Sequence, residues 1–244
     1  MGGMRLPCWL VALIAVTIAT APCQAQSTLA GPVEPVHEPV AMSYGALDAV
    51  DAALDLSVAY FKNGKQVRQI TDKLEGLLDA RVVGDNLEIS MKGYSHVSVT
   101  DESHAKSVEQ MSCLIRQTGQ QLECRAEGKV RYPLLDRPGY RTGDTMTLPF
   151  GTINDATWDV SGTVKGRSKV GQRPVLVVAF ADRREDPLGN SVVISVVTGY
   201  AYLDLALGHP VQMELVVDMR GQFRDHDRML ITLRLDTALP GTRP

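Results

Sequence analysis

Aromatic side chains are scarce in this sequence, at 5% of 244 residues with two tryptophans. Stacking platforms for sugar rings are therefore thinly supplied, and a binding surface is expected to have aliphatic walls. An excess of positive charge is missing as well: the formal net charge is −3, and Lys and Arg are scattered among Asp and Glu. That balance argues against nucleic acid and against an anionic membrane surface as main partners, and leaves peripheral membrane contact at most. Signature motifs are also lacking. No G-x-S-x-G occurs; residues 166–171 (GRSKVG) and 189–191 (GNS) miss its spacing and its strand-to-helix context. There is no phosphate-cradling glycine loop, no H-E-x-x-H, no EF-hand loop and no C-x-x-C pair. The expectation is a protein that is not an enzyme and uses neither cofactor nor metal.

Long apolar runs are absent apart from the first residues, where Arg5 precedes an uncharged stretch from Trp9 to Ala21. That run falls short of the about 20 residues of a membrane span. With Ala25 before Gln26, residues 1–25 have the layout of a cleaved signal peptide, so the chain is expected to be periplasmic or secreted, with cleavage near Ala25. Cys23 leaves open a lipidated start, which Pro22 directly before it fits poorly. Residues 26–42 carry Pro32, Pro35 and Pro39 among small and acidic residues and read as an exposed linker. Residues 43–240 then form a single β domain.

Of four cysteines, Cys113 and Cys124 lie beyond the expected signal, an even number for an oxidising compartment. If Thr118-Gly119 is a two-residue turn, Ile115 pairs with Leu122 and Cys113 falls opposite Cys124, at a spacing a disulfide accepts. Closing so short a loop is worth about 3 kcal/mol in the chain-entropy model.

The β reading extends over most of the domain. Residues 44–61 begin ambiguously, but from Leu54 the pattern alternates, placing Leu54, Leu56, Val58 and Tyr60 on one side of a strand. Asn63-Gly64 is a strong hairpin signal. In 65–79 the apolar spacing fits a helix while that turn asks for a strand; strand is preferred, with Gly76 as a bulge. Further strands are expected around Gly84-Asp85-Asn86, as a short piece at 96–100, and near 157–165, 174–181, 191–204, 210–219 and 228–236. Residues 133–151, rich in Pro and Gly, read as a long loop with at most a short edge strand. The fold class is mainly β with little helix: an antiparallel β-meander forming a curved sheet or half-open barrel.

Two stretches, 160–182 and 197–218, share a small residue before glycine near the start, a turn glycine (Gly171, Gly208), a proline beginning the return strand (Pro174, Pro210) and a closing aspartate (Asp182, Asp218) that marks a turn. They read as two copies of one hairpin, a structural repeat rather than a catalytic motif. Residues 197–221 resemble a hairpin of secreted Gram-negative proteins of unknown function, some related in shape to periplasmic lipoprotein carriers with a half-open barrel. The match is carried by Gly199, Ala201, Asp204, Gly208, Pro210 and Val211. It covers only this stretch, is mainly turn chemistry, and implies no functional residue.

Candidate chemistry is sparse. His37 falls in the linker, and His209 in a turn whose counterpart is Gln172, so neither position demands an imidazole. His96 and His104 flank a polar segment with Asp101 and Glu102, where an ordinary loop residue is the expectation. Asp225, His226 and Asp227 offer ligands to a metal, but strand alternation separates neighbours and the flanking arginines oppose a dication, so a charged turn is expected. The leading expectation is a β protein whose concave face, lined by Val175, Val177, Ala179, Val211, Met213 and Leu215, shelters a lipid or acyl chain, or docks another envelope protein. The alternatives are a secreted hydrolase using His104 or His226, and a structural envelope component.

Overall fold

The computed structural model describes residues 31–100, 102–103, 107–124, 132–153, 156–188 and 191–242. The signal stretch 1–25 with Cys23, the first linker residues 26–30, and His104 lie outside them. Fourteen strands and no helix are found among the described residues. The main sheet is antiparallel throughout. One wing runs β9 (Thr145–Ile153), β10 (Ala156–Val170), β11 (Arg173–Leu188), β12 (Ser191–Asp204), β13 (Pro210–Arg220) and β14 (Arg228–Thr237) in sequence order. β14 then pairs with β2 (Leu47–Lys62), which leads through β3 (Lys65–Val83) and β4 (Asn86–Val99) to β6 (Ser107–Arg116) and β7 (Gln121–Cys124), while β5 (Glu102–Ser103) pairs with β4. The two outer strands, β7 and β9, do not pair with each other, so the meander is an open sheet and not a barrel.

The Asn63-Gly64 turn decides the conflict in 65–79. Both residues have positive φ, 53° and 76°, as a type I′ turn requires, and Lys62 pairs with Lys65 across it. Once the turn is set, β3 ladders with β2 from Lys65 to Ala80 and with β4 from Ile70 to Val83, which outweighs the helical spacing of Val67, Ile70, Leu74 and Leu77. Gly76 is not a bulge: neither ladder shifts there. It stands opposite Gly93, and a Cβ on Gly76 would lie 2.2 Å from the Lys92 carbonyl oxygen, so two strands approach where neither has a side chain. The expected short strand at 96–100 is the end of β4, because the alternation of 86–99 is unbroken.

Registers give the face of each strand. Leu54, Leu74, Leu235, Met213 and Ala201 form one cross-strand row, flanked on the same side by Leu78, Met91, Leu203, Leu215 and Val217. All are buried, and one continuous apolar cluster joins Met146 and Leu148 on one wing to Leu87, Ile89 and Ile115 on the other. Among the described residues there is no helix, and no second sheet beyond a two-stranded pair in the connectors, to cover it, so this face is buried by the sheet curling over two connectors, which makes it the inner face.

The first connector is the Pro-rich stretch, most of whose described residues are exposed, while Val36 and Met42 are buried and the backbone is anchored to its neighbours. Gly31 and Glu34 donate to the Lys169 and Arg167 carbonyls, the Val36 N–H donates to Thr142 Oγ1, and β1 (Val40–Ala41) pairs with β8 (Gly139–Tyr140). Val36, Met42 and Tyr44 are buried. The prolines do keep the chain extended, but the residues between them still offer backbone groups to neighbours. The second connector, 132–144, buries Tyr132, Leu135 and Tyr140 against the first. The long loop expected at 133–151 is thus shorter: β9 is a nine-residue edge strand that accepts Pro149 beside a bulge at Trp158/Asp159 of β10.

The repeat is structural, as its pattern implied. Hairpins β10/β11 and β12/β13 lie side by side, but their turns differ: Gly171 (φ 59°) is in a two-residue turn between Val170 and Arg173, and Gly208 (φ 75°) in a longer one between Asp204 and His209. The closing aspartates are not at turns, since β11 continues to Leu188 and β13 to Arg220. The aspartate that does fix a turn is Asp204. It is 1% exposed, accepts the Ala206 and Leu207 N–H groups on one oxygen, and holds Arg173 Nε at 2.6 Å on the other. In the β6/β7 hairpin, Cys113 stands directly across from Cys124, but by a different turn from the expected one. Gly119 (φ 81°) closes a three-residue loop, Ile115 pairs with Gln121, and Leu122 is the extra residue.

Two outcomes are expected. Intact mass of the protein folded under oxidising conditions is two hydrogens below the reduced value, and peptide mapping places the link at Cys113–Cys124. Asp204→Ala strands the Arg173 charge and two turn N–H groups, so equilibrium urea unfolding shows a loss of about 3–5 kcal/mol.

Candidate functional site

Towards the ends of β2, β3, β4 and β14 the inner face changes character. Leu56, Val58, Ile70, Val97, Val99, Ile231 and Leu233 continue the same face as the buried core, by register, but are only half-buried. They form a trough across four neighbouring strands that is aliphatic except for Asp72, which stands between Leu56 and Val97. The pattern found in the sequence for Leu54, Leu56, Val58 and Tyr60 is therefore right about the shared face, and the structure divides it into core (Leu54) and trough (Leu56, Val58).

One end of the inner face is filled. Tyr44 donates to the Pro133 carbonyl at 2.8 Å, and its ring meets Tyr132 edge-on at 5.1 Å. His209 sits 5.6 and 5.7 Å from these two rings, fully buried, with Nε2–H donating to the Gly45 carbonyl at 2.7 Å. Sequence gave no reason for an imidazole at 209; the structure does, because the ring ties the first connector to the β12/β13 turn. Burial pushes the Tyr44 and Tyr132 hydroxyls well above their usual range. Tyr140 is pushed up to about 12, by burial first and then by its hydrogen bond to Asp136. These phenols are packing groups held neutral, and none is poised as an acid near neutrality.

At the other end the link from β13 to β14, residues 221–227, folds against the sheet. Phe223 stacks on His226 at 4.5 Å and His226 meets Tyr60 edge-on at 4.9 Å, with Arg68 over the Tyr60 ring. The Asp225-His226-Asp227 cluster does not converge. His226 is sandwiched by aromatic rings, and Asp227 accepts the Asn63 N–H at 2.6 Å, which pins this loop to the β2/β3 turn. Polar residues also reach the inner face, where Ser95 donates to Asp72 at 2.7 Å and Arg184 pairs with Asp186 at 2.6 Å.

The six residues expected to line a concave face do not share one. Met213 and Leu215 point inward and are packed in the core, and Val211 is buried at the bulge opposite Tyr202/Leu203. Val175, Val177 and Ala179 pair with Asp204, Tyr202 and Tyr200, which puts them on the outer face. The reason is register parity: odd residues of β11 oppose even residues of β12, whereas odd residues of β12 oppose odd residues of β13. The outer face carries a separate cleft of about 590 Å³ lined by Leu77, Asp79, Arg81, Glu88 and Lys92. Its carboxylates are engaged locally, Asp79 by Arg81 and Ser90, Glu88 by Ser112.

The fold and trough define an open, antiparallel meander with an apolar inner groove closed at one end. No protein-family model matches the chain, and no curated protein matches it.

His209 supplies a test of the filled end. Burial lowers its pKa from the usual 6.5, outweighing the upward pulls of the Gly45 hydrogen bond and of Asp204. Because the folded state disfavours the charged ring, the unfolded chain takes up the proton first on acidification, and stability falls as pH drops through the ordinary histidine value. The urea midpoint is expected to fall between about pH 7.5 and 5.5, with a flatter dependence in His209→Gln.

Proposed function

We propose that the protein is an exported, non-enzymatic carrier or receptor that shelters an apolar chain, such as a lipid or acyl chain, in the inner trough. The observation that carries this reading is a continuous row of half-buried aliphatic side chains, Val99, Ile70, Val58 and Ile231, on the face that elsewhere carries the packed core. Each such side chain gains about 1 kcal/mol when a ligand completes its burial, so a chain lying along the row gains several. The scarcity of aromatics suits this choice, since an alkyl chain asks for aliphatic contact and no stacking. The aromatic sandwich around His226 supports a packing role for that residue over the general base of a hydrolase.

Fluorescence titration with diphenylhexatriene, an apolar chain-like probe, tests the reading. Saturable binding at near one probe per protein is expected. Val58→Glu or Ile231→Glu, each placing a charge in the trough, weakens binding by about tenfold or more. Leu77→Glu, on the outer face at 50% exposure, leaves it unchanged. Equal binding by all three variants sinks the trough as the site.

A further inference from the structure

The trough has a basic rim. Beyond Ile70 and Val58, the next residues on the inner face of β3 and β2 are Arg68 and Tyr60, which pair with each other, and the guanidinium lies 5.9 Å from the centre of the Tyr60 ring. One step further along the hairpin, past a bulge that makes Val67 an extra residue, Lys62 stands directly opposite Lys65 beside the Asn63-Gly64 turn. All three cations are exposed, and among the described residues none has a carboxylate within ion-pair distance. Asp227 also reaches this tip, where it accepts the Asn63 N–H and pairs with no cation. Like charges directly opposite each other weaken a hairpin unless an anion lies between them. Resting on the trough reading, we infer that the sheltered ligand is a single-chain amphiphile with an anionic head, a carboxylate or a phosphate, held by Arg68, Lys62 and Lys65 while its tail lies in the trough.

Exposure and distance both allow one molecule to span rim and trough. Arg68 and the two lysines are exposed, and Tyr60, Ile70, Val58, Leu56 and Leu233 are half-buried, so no fully buried residue stands between the head site and the floor. From Arg68 to Leu233 is two interstrand spacings across and four residues along, about 17 Å on the diagonal, which suits an extended dodecyl chain. Charge sets the direction. A negative head at the far end would meet the Asp72 carboxylate between Leu56 and Val97, whereas at the hairpin tip it meets Arg68, Lys62 and Lys65. Arg68 is partly oriented for this contact, because its guanidinium rests over Tyr60, which His226 braces edge-on. Less side-chain freedom is then lost on binding. A neutral head would leave the opposed lysines uncompensated, and a cationic one would add to their repulsion.

The experiment is displacement of bound diphenylhexatriene by laurate, dodecyl phosphate, 1-lauroylglycerol and dodecyltrimethylammonium, on the full protein, on Arg68→Gln and on the double variant Lys62→Gln with Lys65→Gln. For the unsubstituted protein at low ionic strength, an anionic ligand is expected to displace the probe at about tenfold lower concentration than 1-lauroylglycerol, and the cationic ligand to act more weakly still. Laurate ahead assigns a carboxylate head and dodecyl phosphate ahead a phosphate; either supports the site. Each preference is read as a ratio to 1-lauroylglycerol within one variant, so a change in probe affinity cancels. Arg68→Gln and the double variant should each reduce the ratio to about threefold, and Arg68→Lys should keep most of it. Added salt should narrow it, because exposed charges are screened. The double variant relieves the Lys62/Lys65 repulsion, so it folds at least as well as the unsubstituted protein. Equal displacement by anionic and neutral ligands, or a preference untouched in both Gln variants, overturns the head site and leaves the trough standing. A probe that fails to bind the unsubstituted protein overturns the trough reading, and the head site with it.

Discussion

The inner face of the main sheet carries most of the core and, among the described residues, meets no helix and no second large sheet, so it is buried by the sheet's own curl and its connectors, and most other features of this protein are consequences of that. Pairing of β14 with β2 joins the two wings into one sheet wide enough to curl. Close approach at Gly76 and Gly93 removes side chains where long strands meet backbone to backbone. The connectors 31–45 and 132–144 then fill one end of the curl, which is why segments rich in proline carry Val36, Met42, Tyr44 and Leu135 into the core. Among the described residues the other end receives only the short 221–227 loop, and the trough is the part of the face left half-covered.

Holding two irregular connectors in place calls for polar anchors, since backbone outside a ladder must find partners elsewhere. Asp204 and Arg173 lock the β12/β13 turn to the β10/β11 turn, and His209, leaving the locked turn, reaches the Gly45 carbonyl. Tyr44 extends the chain of contacts to Pro133 on the second connector. Buried ionisable groups here therefore read as fasteners. Four buried polar atoms keep no hydrogen-bond partner in the described structure: the Tyr132 hydroxyl and His209 Nδ1 at the filled end, and the Ser195 hydroxyl and one Asp186 oxygen on β12 and β11.

Much of the architecture was legible in the sequence, and particular residues show why. Asn63-Gly64, Gly171 and Gly208 are turn residues whose conformations few others adopt, so they announce hairpins from the chain alone. Alternation in 54–60, 191–204 and 228–236 announces half-buried strands. The antiparallel meander and the two adjacent hairpins rest on such short-range chemistry, whereas the sequence left open whether the sheet closes into a barrel. The site was less legible. Val58 was found on the right face, but its neighbours Ile231, Ile70 and Val99 come from strands whose adjacency depends on β14 meeting β2 across most of the chain length. Val175 and Val177 were assigned the wrong face, because inside/outside parity is inherited across a ladder and not readable within one strand.

What the sequence by itself determined, then, is everything set by contacts between near neighbours: turn positions, strand periodicity, and the alignment of Cys113 with Cys124. What only the tertiary structure decided is which residues face inward together, that a proline-rich stretch anchors Val36 and Met42 in the core, and that His209 is a core residue. The physical reason is that register and burial are properties of strand pairs far apart in the chain. A residue's own pattern fixes its alternation, while its partners across the sheet fix which side of that alternation meets the core.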